Sequence, residues 1–243
     1  MDILDTLDKC KNDYKWMVEE STNHFYPDEY FTVPRIKKFP GKANILLERI
    51  STVEAIQLYS KNKMYAVLNF ASAKNPGGGV LKGHNAQEES LCKASSLYPM
   101  IYQCDEFYNP RPIDPYFTDR IIYTDSVYFF KNDYGQYINP IKCDVITCAA
   151  PSYAFYDYNR VDPLEHEEVI TRRFTKVLMS AIENGRRNII LGAWGCGVFG
   201  NPPDINSRVF RNVLDEYYNS FDDIIFAIPD FKNYDIFGKY LFL

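Results

Sequence analysis

The sequence lacks the features that mark secreted, disulfide-linked and membrane-spanning proteins. Its six cysteines are spread over more than 180 positions without a CxxC pair, whereas disulfide frameworks and zinc sites need closer pairs. The opening MDILDTLDKCKNDYKW carries acids where a signal peptide carries bases and then an apolar run, and no run approaches the roughly 18 apolar residues of a membrane span. We therefore expect a soluble protein with reduced cysteines, in the cytoplasm, or in the nucleus if the source is eukaryotic or viral.

Positive charge and histidine are also scarce. The chain has 27 Lys and Arg against 32 Asp and Glu, a net charge of −5 at pH 7, so no positive field favours unspecific binding of nucleic acid. The three histidines, His24, His84 and His166, are far apart in sequence, and a histidine-ligated metal site is not expected. An acidic protein can still hold an anion through main-chain N–H groups at a turn or at a helix N-terminus.

The composition is that of an ordinary globular protein. Of the 243 residues, 46% are apolar and 24% charged, which is enough for a sizeable core in one domain. Residues 1–26 predict one or two helices, closed by Pro27, and residues 105–118 form an aromatic and proline-rich loop. Ser51 with Glu54 three residues later forms a capping box that opens a helix.

Strand-like and helix-like segments alternate along the rest of the chain. Strands are predicted at residues 43–50, 64–73, 119–130, 143–151, 187–194 and 223–230, and helices at residues 51–61, 87–97, 164–184 and 204–219. This alternation predicts an α/β fold with helices on both faces of the sheet. In such sheets ligands bind beyond the carboxyl ends of the strands, and two loops that follow strands are rich in glycine.

The first of these loops contains three consecutive glycines, Gly77, Gly78 and Gly79, between a buried strand and a helix. Glycines have no Cβ to obstruct a ligand, so their amides can approach a pyrophosphate while the helix directs its positive end at the same place. The alternative interpretation is a flexible turn without a ligand. The run GGGVLKGH lacks the GxxxxGK[ST] pattern of a P-loop.

The second loop, GCGVFG at residues 195–200, matches the GxGxxG pattern of dinucleotide-binding folds. Only 43 residues follow it, no second strand ends in an acid at the expected distance, and Pro202 and Pro203 lie where the required helix should begin. These observations disfavour a dinucleotide fold and leave a second phosphate-binding loop. Cys196 in this loop has no sequence-local histidine to activate it, so a buried thiol is favoured over a nucleophile.

Two adjacent acids, Glu88 and Glu89, stand at the start of the helix after the first glycine loop. One interpretation is a favourable interaction with the helix dipole. The other is catalytic, because a partly buried carboxyl beside a bound pyrophosphate has a raised pKa and suits general acid catalysis. Adjacent helical side chains point about 100° apart, so only one of the two can face a cleft. The helical period counted from Leu91 places Glu88 nearer the apolar face, and so favours Glu88 as the acid that faces the cleft.

Other charged residues have structural interpretations. His166 is flanked by glutamates and is expected on a solvated helix face. Arg172 and Arg173 are expected to be solvated or paired with acids, and binding of a phosphate is the alternative.

The segment NFASAKNPGGGVLKGHNAQEESLCKASSLYP resembles the one that identifies bacterial-type poly(ADP-ribose) glycohydrolases, with a triple glycine, a spacer of six to eight residues, and QEE. The spacer here is the seven residues 80–86. The motifs TDRIIYTDSVYFF, DVITCAAP and LGAWGCGVFGNP follow in the order and at about the spacing typical of that family. The resemblance covers the chain from about residue 43 onward.

The resemblance implies a macrodomain-like fold, a three-layer α/β/α arrangement with a central mixed sheet and ADP-ribose across the strand ends. It divides the chain into an N-terminal helical extension at residues 1–42 and a catalytic domain at residues 43–243. The KGHN spacer and the PPD after Asn201 depart from the family pattern, and they leave the details of the substrate open.

The resemblance also implies roles for individual residues. Gln87 and Glu88 would bind the substrate ribose, Glu89 would be the catalytic acid in place of Glu88, and Asn69 would line the same cleft. The two diphosphate loops would be formed by Gly77, Gly78 and Gly79, and by Gly195, Cys196, Gly197, Val198 and Phe199, with the Phe199 ring near the distal ribose.

The activity implied is hydrolysis of the ribose–ribose O-glycosidic bond of poly(ADP-ribose), which releases ADP-ribose. One carboxyl acts first as acid and then as base, so neither a metal nor a cofactor is required. The substrate is the polymer or an ADP-ribosylated protein. Two alternatives stay open, a hydrolase of mono-ADP-ribosyl bonds and a macrodomain that binds ADP-ribose without catalysis.

Overall fold

A computed structural model of the chain describes residues 1–29, 41–108, 116–154 and 162–242. The strands are β1 (Thr22–Tyr26), β2 (Asn44–Glu48), β3 (Ala66–Phe70), β4 (Ile121–Lys131), β5 (Tyr137–Cys148), β6 (Asn188–Leu191) and β7 (Asp223–Ala227). The helices are α1 (Ile3–Lys11), α2 (Lys15–Glu20), α3 (Thr52–Tyr59), α4 (Gln87–Ala94), α5 (Leu97–Ile101), α6 (Asp105–Tyr108), α7 (Pro163–Glu183), α8 (Pro203–Tyr217) and α9 (Phe231–Leu241).

The seven strands form one mixed sheet in the order β1-β4-β5-β3-β6-β7-β2. The pairs β1/β4 and β4/β5 are antiparallel, and the other four pairs are parallel. The carboxyl ends of β5, β3, β6, β7 and β2 therefore meet at one edge. Since β3 and β6 are neighbours, the two glycine-rich loops leave that edge side by side, as expected from the sequence.

Helices cover both faces of the sheet. On one face α1, α3, α4 and α5 pack over inward side chains such as Val67, Val145 and Ile190. On the other face α7, α8 and α9 pack over Leu68, Ile146 and other apolar side chains. The continuous apolar runs of the central strands are explained by this burial on both sides, and the predicted α/β class with a mixed sheet is confirmed.

Several predicted element ends follow from local chemistry. The Ser51 hydroxyl accepts the Glu54 N–H at 2.9 Å and caps α3, as predicted. The long helix α7 begins after Asp162, whose carboxylate accepts the Leu164 N–H, and ends at Asn184 before Gly185, which has a φ of +71°. No helix in the described part of the chain is long and apolar enough to cross a membrane.

The N-terminal segment differs from the prediction of helix alone. After α1 and α2, residues Thr22–Tyr26 form β1, which pairs with β4 at the edge of the sheet. This pairing joins residues about 100 positions apart, so local patterning does not reveal it. The proposed boundary at residue 42 lies beside residues 30–40, outside the described residues, and the two-part division stays a prediction.

Proline and helix ends account for the other differences. The helix predicted to run to residue 97 ends at Ala94, because Ser95 bridges to Phe129 of β4. The helix predicted at residues 204–219 begins one residue earlier, at Pro203, because a proline in the first turn leaves no hydrogen bond unmade. Helix α9 was not predicted. Of the loop at 105–118, residues 105–108 form α6 and residues 109–115 lie outside the described residues.

A buried carboxylate fixes the antiparallel part of the sheet to its parallel part. Asp144 of β5 is fully buried and accepts from the Tyr123 hydroxyl, from the Arg186 guanidinium, and from the Ser126 N–H at 3.1 Å. Ser126 has a φ of +58° at a register shift in β4, which turns its N–H toward the carboxylate. Burial, together with the charge of Asp144, raises the pKa of Tyr123.

Replacing Asp144 by alanine should lower the free energy of unfolding by about 3 kcal/mol, because it leaves buried donors without an acceptor. Urea unfolding measures this loss. The matched control is Asp222→Ala, which removes an exposed ion pair with Arg187 and should cost less than about 1 kcal/mol. Equal losses in the two variants would contradict the structural role of Asp144.

Candidate active site

A cleft runs along the carboxyl edge of the parallel strands. One part, a cavity of about 380 Å³, is lined mostly by apolar groups, and a second part of about 820 Å³ contains the paired glutamates. The two parts share five lining residues and so form one continuous cleft: Phe70, Asn85, Ala86, Val198 and Phe199.

Glu89 is fixed at the start of α4 by two main-chain amides. Its Oε1 accepts the Gly79 N–H at 2.8 Å, and its Oε2 accepts the Ala86 N–H at 3.0 Å. The second bond is one half of a capping box, because Ala86 has no side-chain acceptor to complete it. Glu89 is 7% exposed and lines the larger cavity. Its carboxyl group is thus held in one orientation at the cleft wall.

The absence of a side chain at Gly78 makes this arrangement possible. A Cβ at position 78 would lie 2.5 Å from Glu89 Oε1 and 3.1 Å from Glu88 Oε2. Gly78 also has a φ of +62°, which only glycine adopts readily. The loop therefore has two uses for its glycines: a left-handed turn, and close approach of the main chain to both carboxyl groups.

The amides of this loop are largely occupied. The Gly78 N–H donates to the Asn75 carbonyl, and the Gly79 N–H to Glu89. In this structure the loop therefore orients the acid, and the binding of a diphosphate by Gly77, Gly78 and Gly79 stays a prediction.

Glu88 lies deeper than Glu89. It is 3% exposed, and its carboxyl oxygens accept from the Ser72 N–H at 2.7 Å and from Asn69 Nδ2 at 3.3 Å. Burial raises the pKa of Glu88 to about 8, and the hydrogen bonds from Ser72 and Asn69 oppose this shift only in part. Glu88 is therefore mainly protonated at neutral pH, so the adjacent carboxyl groups do not both carry full charge in the same buried volume.

Asn69 and Gln87 support the site from below. Asn69 is fully buried and donates to Glu88 and to Thr147, rather than lining the cleft as the sequence suggested. Gln87 Oε1 accepts the Phe70 N–H at 2.9 Å, and its Nε2 donates to the Leu68 carbonyl at 2.9 Å. These bonds tie α4 to the end of β3. Gln87 also lines the apolar cavity, and its contact with a ribose stays a prediction.

The second glycine loop presents free amides to the cleft. Within the described residues, the N–H groups of Gly197 and Val198 have no acceptor, and both residues line the apolar cavity. Gly195, at a φ of +81°, accepts at its carbonyl from Asn201 Nδ2 at 2.9 Å. The Asn201 amide also donates to the Pro151 carbonyl. The loop is therefore rigid, and its exposed amides suit an anion.

Cys196 turns away from the cleft. Its Sγ contacts the Trp194 carbonyl at 3.7 Å, its N–H donates to Ala193, and it is not among the residues that line the cavities described above. Burial raises the pKa of the Cys196 thiol to about 12, so a thiolate nucleophile is disfavoured. The Cys196 side chain therefore does not line the cleft, and its predicted role in substrate binding is limited to the shape of the loop.

Phe199 lines both parts of the cleft, and a second aromatic ring stands beside it. The ring centroids of Phe117 and Phe199 are 5.8 Å apart, and Phe117 also lines the larger cavity. Sequence reasoning missed Phe117 because it lies in an irregular loop after the proline-rich segment. The Phe199 carbonyl accepts from the N–H groups of Tyr153 and Ala154, which holds its main chain in place.

The far end of the apolar cavity was also missed. Asp230 and Asn233, at the start of α9, line it together with Ser51 and Thr52. Asp230 caps α9 by accepting the Asn233 N–H at 2.9 Å. The signal was present in the sequence, because Pro229 and Asp230 after a strand form a typical helix start.

The remaining charged candidates lie outside the cleft. His166 is fully buried rather than solvated, and burial lowers its pKa. Arg173 is also buried, and it donates to Asp119 and to the Ala149 and Tyr116 carbonyls. Arg172 pairs with the same Asp119. The expected pairing of both arginines with acids is therefore confirmed.

Comparisons with known proteins identify a matching family and related solved structures. The family described as the catalytic domain of microbial-type PARG, poly(ADP-ribose) glycohydrolase, matches residues 9–132, slightly more than half of the chain. No curated protein sequence matches the chain.

Solved structures that share the fold include the following two examples. Poly(ADP-ribose) glycohydrolase from Thermomonospora curvata, bound to the inhibitor ADP-HPD, is 28% identical with a TM-score of 0.84, over 98% of this chain and 97% of that one. The Deinococcus radiodurans enzyme in complex with ADP-ribose is 28% identical with a TM-score of 0.84, over 95% and 97% of the two chains.

Gly78→Ala should release Glu89 from the glycine loop. The added Cβ displaces the carboxyl group, so the Gly79 and Ala86 amides should lose protection from hydrogen exchange by ~10-fold or more. The control is Gly83→Ala, with a φ of +81° but open space around the new Cβ, which imposes similar strain without touching the carboxyl. Undiminished protection of Gly79 in Gly78→Ala would contradict the described contact.

The buried Glu88 should make stability depend on pH. Its pKa is about 8 in the folded protein against an ordinary 4.5, so the folded state keeps a proton that the unfolded chain loses. The contribution of Glu88 to the free energy of unfolding is therefore fully present below pH 4.5, and it is lost as the pH rises through about 8.

Relative to the wild type, Glu88→Gln should therefore gain stability between pH 5 and pH 9, by about 1.4 kcal/mol for each pH unit over which only the folded state holds the proton. Urea unfolding at several pH values measures this gain, with the exposed Glu54→Gln as control. A difference between Glu88→Gln and wild type that stays constant with pH would show that Glu88 is ionised throughout.

Proposed function

The chain belongs to the family of microbial-type poly(ADP-ribose) glycohydrolase catalytic domains, and from that membership we propose how its cleft binds and cuts the polymer. The enzyme is a glycosidase that hydrolyses ribose–ribose O-glycosidic bonds and releases ADP-ribose. We assign its fold to the macrodomain superfamily, with the two glycine loops as the binding edge.

The apolar cavity suits the adenosine end of ADP-ribose. It is lined by Trp194, Ile228 and Pro229, with Asp230 and Asn233 at its far end. Such a pocket, mostly apolar with a few polar groups, is typical of nucleotide sites. The diphosphate then lies against the free amides of Gly197 and Val198, which hold anions without side-chain charge.

This placement brings the distal ribose to the glutamates. Val198 and Phe199 line both cavities, so the nucleotide passes them as it crosses from one part of the cleft to the other. The ribose then faces Glu89, whose carboxyl is fixed by Gly79 and Ala86. The glycosidic bond to the next unit lies at the cleft wall.

Glu89 is proposed as the general acid. Its carboxyl oxygens each accept one amide and retain a further lone pair, so either oxygen can still hold a proton for the departing ribose oxygen. Cleavage of the C–O bond leaves an oxocarbenium-like ribose, whose positive charge develops beside the bound diphosphate.

Water completes the reaction. After the first step Glu89 is a carboxylate, and it removes a proton from the water that attacks the anomeric carbon. The new C–O bond replaces the one broken, and the enzyme regains its starting protonation. A single carboxyl serves in both steps, so a second acid at the spacing of ordinary glycosidases is not needed.

One observation carries this proposal: the QEE glutamates and the free amides of the second glycine loop face the same cleft. Glu88, mainly protonated at neutral pH, serves as a hydrogen-bonding group toward the ribose and keeps a second charge away from Glu89. The binding of ADP-ribose by the Deinococcus enzyme supports ADP-ribose as the ligand of this cleft.

Glu89→Gln should lower the turnover of poly(ADP-ribose) by ~10³-fold, as expected for loss of a general acid, while ADP-ribose binding persists. Glu88→Gln is the matched control. Because Glu88 is mostly neutral at pH 7, its amide replacement should retain activity within about tenfold of wild type. Turnover of labelled polymer and calorimetry with ADP-ribose measure both effects.

A large loss of turnover in Glu88→Gln with little loss in Glu89→Gln would assign the catalytic role to Glu88, the acid that the helical period places toward the cleft. Incubation with mono-ADP-ribosylated protein separates the alternative activities. A wild-type protein that binds ADP-ribose but releases none from polymer would be a binding module and would contradict the proposed reaction.

A further inference from the structure

Basic residues border the glutamate side of the cleft in an otherwise acidic protein. The segment at residues 71–86, between β3 and α4, contains Lys74, Lys82 and His84 but no aspartate or glutamate, while the whole chain has a net charge of −5. All three line the larger cavity together with Glu88 and Glu89. We call these three residues the basic rim.

The basic rim lies on the side away from the proposed adenosine position. None of its members lines the apolar cavity, and the two parts of the cleft meet at Phe70, Asn85, Ala86, Val198 and Phe199. An ADP-ribose unit placed as proposed ends at Glu89. The rest of the polymer must leave through the larger cavity, past the basic rim.

The main chain that carries the basic rim is firmly held. The His84 N–H donates to the Gly79 carbonyl at 3.1 Å, and the His84 carbonyl accepts from Lys93 Nζ at 2.6 Å. Lys93 is only 4% exposed, so this bond is sheltered from water. The His84 ring also lies directly against Gly79, so a Cβ added at position 79 would collide with the ring. His84 is thus held in place beside the glycine loop that orients Glu89.

The two lysines are available to an anion. Lys74 Nζ lies 5.9 Å from the centroid of the Phe117 ring, a cation–π contact that leaves its donors free. Lys82 is exposed, and its ammonium group has no partner within the part of the chain that the structure describes. Neither lysine forms an ion pair with a described acid.

The substrate supplies a matching anion at this place. The oxygen that departs from the bond cut belongs to a ribose whose own unit carries a diphosphate, so two negative charges lie a few bonds beyond Glu89. The released ADP-ribose, by contrast, has its only diphosphate on the opposite side, at the second glycine loop.

Resting on the proposed function, we propose that Lys74, Lys82 and His84 bind the diphosphate of the ADP-ribose unit on the far side of the bond cut. The rim then acts as a specificity-determining site that favours polymer over singly modified acceptors, because only polymer has a second diphosphate there. It contributes to capture of polymer and not to retention of ADP-ribose.

The test compares two double variants of the full chain. Lys74→Gln with Lys82→Gln should raise KM for long polymer about five- to tenfold at low salt, because two exposed phosphate contacts are lost, with kcat and the Kd for ADP-ribose unchanged. The dependence of log KM on log salt should flatten by roughly 0.7 for each contact removed. The control, Lys11→Gln with Lys61→Gln, makes the same change of charge outside the cleft and should leave KM within about twofold.

Each other outcome overturns the proposal. An unchanged KM for polymer, an equal rise of KM in the control, or weaker binding of ADP-ribose would show that the basic rim does not bind a second diphosphate. An equal loss on a mono-ADP-ribosylated acidic peptide would show recognition of the acceptor protein instead. Lys74→Arg with Lys82→Arg should restore polymer KM. Failure of the proposed function itself is distinct, since the wild-type protein would then not cleave polymer at all.

Discussion

The site depends on the contact between the glycine loop and the two carboxyl groups at the start of α4. The Gly79 and Ala86 amides hold Glu89, and the Ser72 amide holds Glu88. This contact needs a main chain that passes within van der Waals distance of both carboxyl groups. The main chain can come this close at Gly78 because glycine has no Cβ. The acid therefore reaches the cleft in a fixed orientation, and such preorganisation is a large part of catalysis by proton transfer.

Burial of two adjacent acids is costly unless one of them stays neutral. The raised pKa of Glu88 resolves this conflict, because at neutral pH the pair carries less than two charges. Asn69 and Gln87 pin the same region to β3. Stability, charge and orientation of the site are thus set by one short stretch, from the end of β3 to the first turn of α4.

Much of the architecture is local information in the sequence. The alternation of strands and helices gave the α/β class, Ser51 marked the start of α3, and the glycine-rich stretches marked the two loops at the sheet edge. What local patterning could not give are contacts between distant segments. β1 pairs with a strand about 100 residues away. Helical periodicity also cannot show that the side-chain amide of Gln87 forms hydrogen bonds with the main chain of β3. The acidic neighbours of His166 predict a solvated position, yet packing of α7 buries it.

The most direct test of how Glu89 meets its substrate is a crystal structure of the protein with ADP-ribose bound. In that complex the diphosphate oxygens should lie within hydrogen-bond distance of the Gly197 and Val198 amides. The Glu89 carboxyl, still bonded to the Gly79 amide, should contact the anomeric hydroxyl of the distal ribose. A complex in which the ribose lies away from Glu89, or in which the adenine occupies the glutamate side of the cleft, would contradict this arrangement.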